Sequence, residues 1–143
     1  MAELLLAFDF GLRQIGVAIG SRLTQARPLT ALVAQQGCPN WQKLSKLVEN
    51  WQPKLLVVGL PLNMDGSEQP ITQAARQFGV ELQQRFALPV NLQDERLSTV
   101  EAKAHLFKQG GYRALKKTQI DALSATLILE SWLATINPLA NNP

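Results

Sequence analysis

The stretch LLLAFDFGLRQIGVAIG, residues 4–20, decides how the rest of the chain is read. Leu4 to Phe10 is a nearly continuous apolar run of strand length, and Gln14 to Gly20 is a second, with the glycine-bearing turn Gly11-Leu12-Arg13 between them. Two such runs joined by a short turn predict a β-hairpin. Asp9 is out of place in it, because an ionised carboxylate in a strand meant for the interior is costly unless something compensates its charge. Two readings are open: Asp9 caps the turn at Gly11, as aspartates often do, or it is a functional carboxylate. Gly11, Gly16 and Gly20 would let a polyanionic backbone approach the sheet closely.

Working outward, Leu29 to Val33 after Pro28 is a third extended piece, which turns the hairpin into an antiparallel meander. After the turn Gly37-Cys38-Pro39, Asn40 can cap a helix over Trp41 to Trp51, where Trp41, Leu44, Leu47, Val48 and Trp51 recur at helical spacing and Pro53 closes the element. KLLVVGL, residues 54–60, has the unbroken apolar character of a parallel strand covered on both faces. The turn formers PLNMDGSEQP, residues 61–70, follow its carboxyl end, where open α/β sheets place ligands.

Ile71 to Phe86 reads as a helix, Val90 to Gln93 as a short strand, and Ser98 to Lys108 as a helix opened by the capping box Ser98-x-x-Glu101. Gly110 to Lys117 is a basic connector, and Thr118 to Ala134 is a last apolar helix. The order βββαβαβα followed by that helix predicts an α/β fold: a five-stranded mixed sheet, built from a three-strand antiparallel meander plus two parallel strands and flanked by helices. One domain over 1–137 and a polar tail over 138–143 are expected.

Bulk properties set bounds. A chain of 143 residues, 46% hydrophobic and 17% charged, supports one real core and no fibrous or disordered class. The net charge of +3 favours polyanionic partners weakly. Cys38 is the only cysteine, which excludes an intrachain disulfide and a cysteine-based zinc cluster and fits a reducing compartment. The opening MAELLLAFDFG does not suit a signal peptide, and no stretch approaches the roughly 20 apolar residues of a membrane span. A cytoplasmic protein with no membrane partner is the expectation.

Two further acidic positions accompany Asp9. Asp94-Glu95-Arg96 stands at the carboxyl end of the last strand. Strand alternation lets only one of the two acids share Asp9's side, and Glu95 has the longer reach while Asp94 would cap or brace. An ordinary solvated turn is the alternative for this segment. Asp121 falls near the start of the final helix, where Thr118-x-x-Asp121 also fits a cap. If strands one, four and five lie side by side and parallel, Asp9 and Glu95 approach each other, and a helix laid across the sheet could bring Asp121. Three such carboxylates would repel one another without divalent cations, and their hard oxygens suit Mg²⁺ or Mn²⁺. Those ions can activate water on a phosphodiester without a histidine or cysteine. The single histidine, His105, reads as a surface or packing residue.

The blocks LLAFDFGLRQIGVAIG (5–20), VVGLPLNMDGSEQP (57–70), DERLSTVEA (94–102) and IDALSATLILESWL (120–133) together closely resemble the YqgF/RuvX family, over nearly the whole chain. The resemblance implies a ribonuclease H-like fold, a divalent-metal site, and hydrolysis of structured RNA or branched DNA. It implies processing of the 5′ end of pre-16S rRNA in ribosome biogenesis, with Holliday junction resolution as the alternative, and it carries the family's acidic positions onto Asp9, Glu95 and Asp121. Many relatives have arginine immediately before the Ile-Gly pair; here that place holds Gln14, with Arg13 one position earlier, which in a strand could face the other side.

Arg96, Lys103, Arg113, Lys116 and Lys117 are candidates for holding the nucleic-acid backbone, helped by Tyr112 in the connector. Two other classes stay in view. A non-catalytic RNA- or ribosome-binding module would have no use for three retained acids. A sugar-kinase-like ATPase, with which Asp9-x-Gly11 also has likeness, clamps nucleotide between two such domains, and this length supplies one. The ribosome and a second copy of the chain remain open as partners.

Overall fold

A computed structural model describes residues 3–95 and 117–136, with side chains described for all of these but 117–121. Three strands come first: β1 (Leu5–Asp9), β2 (Gln14–Gly20) and β3 (Arg27–Gln35). They are followed by β4 (Cys38–Pro39), α1 (Trp41–Trp51) and β5 (Leu55–Leu60). The rest comprises α2 (Pro70–Phe86), β6 (Val90–Asp94) and α3 (Lys117–Ile136). The sheet runs β4-β3-β2-β1-β5-β6. The pairs of β1 with β2, β2 with β3 and β3 with β4 are antiparallel, while β5 is parallel to both β1 and β6. This is the expected meander joined to two parallel strands, with six strands where five were expected.

The extra strand is β4, in the segment that reads from sequence as a plain turn. Gln36 and Gly37 both have positive φ, 51° and 82°. That is the pair of left-handed residues a two-residue type I′ hairpin needs, so Cys38 and Pro39 fold back to pair with Gln35 and Ala34. Gly37 is required there for a second reason, since a Cβ would stand 2.7 Å from Cζ of Phe10. β3 is also longer than expected. The chain continues as strand through Pro28 because the register with β2 shifts between Val17 and Ala18, and an irregularity of that kind tolerates a residue without an N–H.

Strand alternation divides the sheet into two unlike faces. Leu6, Phe8, Ile15, Val17, Ile19, Leu56, Val58 and Leu60 form one buried cluster, joined by Leu44 of α1 and by Phe78 and Leu82 of α2. Phe78 is its centre, with ring centroids of Phe10, Phe8 and Trp41 at 5.4, 5.6 and 5.9 Å. Asn40 starts α1 as the sequence implies, its Oδ1 accepting from the backbone N–H groups of Gln42 and Lys43 at 3.0 and 3.2 Å.

The other face carries Leu5, Ala7 and Val57, and α3 covers it with Ile128 and Leu129. Its β2 positions are small, Gly16, Ala18 and Gly20, which pair with Asp9, Ala7 and Leu5. A Cβ at Gly20 would lie 2.9 Å from Cα of Ala26 and 3.1 Å from Cδ2 of Leu129. Small residues therefore let α3 lie close across β1, β2 and β3, with its contacts extending to β5 and β6.

Candidate active site

Because β1, β5 and β6 are parallel, their carboxyl ends share one edge of the sheet. Asp9 is the last residue of β1 and, by alternation with Leu5 and Ala7, belongs to the face beneath α3. Phe8 pairs with Val58, so the next position brings Asp9 beside Gly59 of β5. On the far side of β5, Gly59 pairs with Gln93 and Leu60 with Asp94. Glu95 follows at once, its backbone N–H donating to the carbonyl of Leu60 at 3.2 Å. Alternation turns Glu95 toward the α3 face and Asp94 away from it.

Gly59 is the residue that lets the two acids meet. A Cβ built on it would collide with Oε2 of Glu95 and stand 2.5 Å from Cδ1 of Ile128. The Glu95 carboxylate thus lies over the bare backbone of the central parallel strand, walled by a helix side chain, and Oε2 is shielded from solvent. Burial pushes the Glu95 carboxyl from 4.5 up to about 8, and the negative charges of Asp9 and then Asp94 add to that rise. The three acids are within electrostatic reach of one another, and their mutual repulsion favours either a proton or a cation at this place.

The loop after β5 is a hydrogen-bonded neighbour of this edge. Asn63 donates from its backbone N–H to the carbonyl of Ser67 at 2.9 Å, and Gly66, with φ of 90°, donates to the carbonyl of Asn63 at 2.8 Å. The Ser67 N–H donates to Oδ1 of Asp65 at 2.9 Å. Thr72 Oγ1 donates to the carbonyl of Pro61 at 2.5 Å and accepts from the Gln69 N–H at 3.2 Å, tying the start of α2 to the residue that leaves β5. At the end of β1, Gly11 makes the turn possible, since a Cβ there would run into the carbonyl oxygen of Gln14. Arg13 is exposed in that turn and its carbonyl accepts from Ala34 N–H at 2.8 Å.

Asp121 lies within α3, and its side chain is outside the described residues. Its place differs from the expectation in one respect: Lys117 and Thr118 are already helical, so Asp121 stands beyond the first turn and Thr118 is not its cap. Helical spacing puts position 121 on the same face as Ala125 and Ile128, the residue that walls Glu95. Among the described residues, no three His, Cys, Asp and Glu side chains are placed to hold a metal ion together. Of the candidates for binding the backbone, Arg96, Lys103, Arg113 and Lys116 lie outside the described residues, as do Tyr112, His105 and the helix expected over Ser98 to Lys108; Lys117 opens α3 with its side chain outside them.

The family model described as "RuvX: Holliday junction resolvase" matches residues 3–135. The chain belongs to the RuvX family. A relative from Haemophilus ducreyi is 62% identical over 133 residues, covering 92% of this chain and 96% of its own. Another, from Edwardsiella ictaluri, is 64% identical over 129 residues, covering 90% and 92%. Both carry the provisional name pre-16S rRNA nuclease.

Among solved structures, RuvC of Thermus thermophilus superposes with a TM-score of 0.55 at 14% identity over 94% of this chain and 96% of that one. The yeast mitochondrial Holliday junction resolvase Ydc2 does so at 0.52 and 10% over 92% and 78%. At such identity the likeness concerns the fold, which is ribonuclease H-like. Within this RuvX-family chain, the residue that sequence reasoning passed over is Gly59. The signal was present as the single glycine inside an otherwise apolar strand, the usual mark of a close approach. Among the described residues, no helix is long and apolar enough to cross a membrane.

Proposed function

We propose that this chain is a divalent-metal-dependent endonuclease that hydrolyses nucleic-acid phosphodiesters, acting on the 5′ end of the precursor of the small ribosomal RNA in the cytoplasm. The observation that carries the reading is the placement of Glu95 over Gly59, beside Asp9, with its carboxyl pushed up to about 8 by burial and by its acidic neighbours. Mutually repelling acids, one of them with an oxygen shielded from solvent and its carboxyl strongly shifted, are the arrangement that functional sites use.

The donor set fits Mg²⁺ or Mn²⁺: it offers hard carboxylate oxygens, and a bare glycine leaves the space that a side chain would fill. Asp9 and Glu95 would hold the ion, with Asp121 as third donor from the helix face that includes Ile128. Such an ion, when bound, supplies activation of water and stabilisation of the leaving oxygen. The protein's own part is positional. β1 and β6 fix the two acids on either side of Gly59, Asp94 on the opposite face adds negative potential, and the hydrogen-bonded loop after β5 bounds the space that a strand would enter. Arg96, Lys103, Arg113, Lys116 and Lys117 would hold the phosphates flanking the cut without choosing sequence.

The experiment is incubation with Mn²⁺ on labelled pre-rRNA and on four-way DNA junctions, beside the Asp9→Asn variant. Cleavage of pre-rRNA that falls by about two to three orders of magnitude in the variant is the expected result. Cleavage of junctions alone would transfer the assignment to a resolvase, the reading that the family description favours. In that case symmetric cutting of two strands would require a dimer. Full activity in Asp9→Asn would sink both and leave a nucleic-acid-binding module.

A further inference from the structure

Across the sheet from the carboxylates, a groove of about 750 Å³ runs between α1 and the end of α2, lined by Trp41, Lys43, Lys46 and Arg85 together with Asn40, Gln42 and Ser45. Among the described residues, no acidic side chain lines it. Lys43 and Lys46 are one helical turn apart on the exposed side of α1, and Arg85 is exposed at the last turn of α2. The Arg85 guanidinium lies 4.0 Å from the centroid of the Trp41 ring. Trp41 is itself braced against Phe78 at 5.9 Å. An arginine held over a braced indole ring has already lost much of the rotamer freedom that binding would remove. Among the described residues, the one ion pair joins Arg76 to Glu68, so these three cations are not spent on carboxylates there. A second groove, of about 420 Å³, shares Asn40 and Lys43 and continues the furrow past Gln35 to the sheet edge at β4.

We propose that this furrow is a second nucleic-acid contact, which grips the phosphate backbone of RNA at a distance from the cut. The occupant follows from the lining: three cations, amide and hydroxyl groups, and no acid match a phosphodiester chain. The one aromatic ring is already used to hold Arg85, so the contact is to backbone and is indifferent to sequence. Its place on the α1 and α2 layer means that a nucleic acid engaged at both sites wraps the edge of the sheet or presents two separate segments. A large folded RNA does so, and a short duplex does not. The inference rests on the nuclease reading for the identity of the cut site, while the groove's own binding does not depend on it.

The test is fluorescence anisotropy of the full chain with a long structured RNA, in EDTA to prevent cleavage, over a salt series, comparing wild type with K43E/K46E/R85E. The triple variant is expected to bind about tenfold more weakly and to have a salt slope shallower by roughly 2, while K43R/K46R keeps wild-type values. Cleavage of a short substrate in Mn²⁺ is expected to stay within about twofold of wild type, since the replaced residues are across the sheet from the acids. Unchanged RNA affinity and slope in the triple variant would overturn the proposal. So would loss of binding to phosphatidylserine vesicles with RNA binding intact, which would give the groove to a lipid surface. If the wild type cleaves nothing yet the triple variant loses RNA affinity, the nuclease reading fails and the second contact stands.

Discussion

Phe8 and Asp9 are neighbours in the chain and opposites in the fold. Phe8 points into the layer under α1 and α2, where large apolar side chains surround Phe78. Asp9 belongs to the layer under α3, where β2 presents alanine and glycine and the sheet ends in acids. The same alternation separates Val58 from Gly59 and Asp94 from Glu95. One face gains its stability from area removed from water, about 1.5–3 kcal/mol for each fully buried Leu, Ile or Phe. The other face also buries Leu5, Val57, Ile128 and Leu129, but at its end it holds acids where water is scarce, which costs stability. Side-by-side faces of one sheet can thus be specialised, because a change of side requires only one residue along a strand.

The comparison is tested most forcefully on the apolar face. Phe78→Ala removes the ring on which Phe8, Phe10 and Trp41 converge, and is expected to lower unfolding free energy by about 3–5 kcal/mol. Urea denaturation reads this directly, and a loss below about 1 kcal/mol would deny that this cluster is the main support of the fold.

A smaller effect is expected on the charged face, with a distinctive pH dependence. The folded Glu95 carboxyl is held at about 8 against 4.5 ordinarily. Between those values the unfolded chain has released a proton that the folded one retains, so folding binds a proton and stability falls as pH rises. The contribution is intact below about pH 4.5 and gone above about pH 8. Without divalent ions, the loss across that window should be about 2–4 kcal/mol, and Glu95→Gln should flatten it. Equal slopes for the two proteins in thermal melts would show that burial at this position does not hold the proton.

Much of this was legible in the sequence. The hairpin at residues 4–20, the capped helix from Asn40 and the buried strand before Pro61 follow from apolar periodicity and turn chemistry, because those elements answer to local rules. Asp9 stood out because a charge in an apolar run violates such a rule. The rest depended on partners distant in the chain. β4 forms because the left-handed Gln36-Gly37 pair turns the chain back onto β3, and β3 passes through Pro28 where β2 has an irregularity opposite. Glu95 could be preferred over Asp94 by its reach and by the family's motif position, but the residue that seats it, Gly59, becomes visible only when β1, β5 and β6 are laid side by side.

Two glycines carry the comparison to its finest grain, one on each face. Gly59 has Glu95 and Ile128 where its side chain would be. Gly59→Ala must push the carboxylate off the strand or α3 away from the sheet, and overfilling of this kind costs about 1–3 kcal/mol. Gly79 lies within α2, and a Cβ there would meet Leu92 Cδ2 at 3.4 Å, Val90 Cγ1 at 3.5 Å and Val58 Cγ2 at 4.0 Å, all ordinary contacts. Gly79→Ala also removes a glycine from a helix interior, so it should stabilise the protein by about 0.5–1 kcal/mol. The same added methyl is therefore expected to have opposite signs on the two faces of one sheet, read as opposite shifts in melting temperature. Destabilisation by both would mean that the α2 layer is as tightly filled as the α3 layer. If Gly59→Ala were silent, Glu95 would have room to sit elsewhere, and the glycine would not be what positions it.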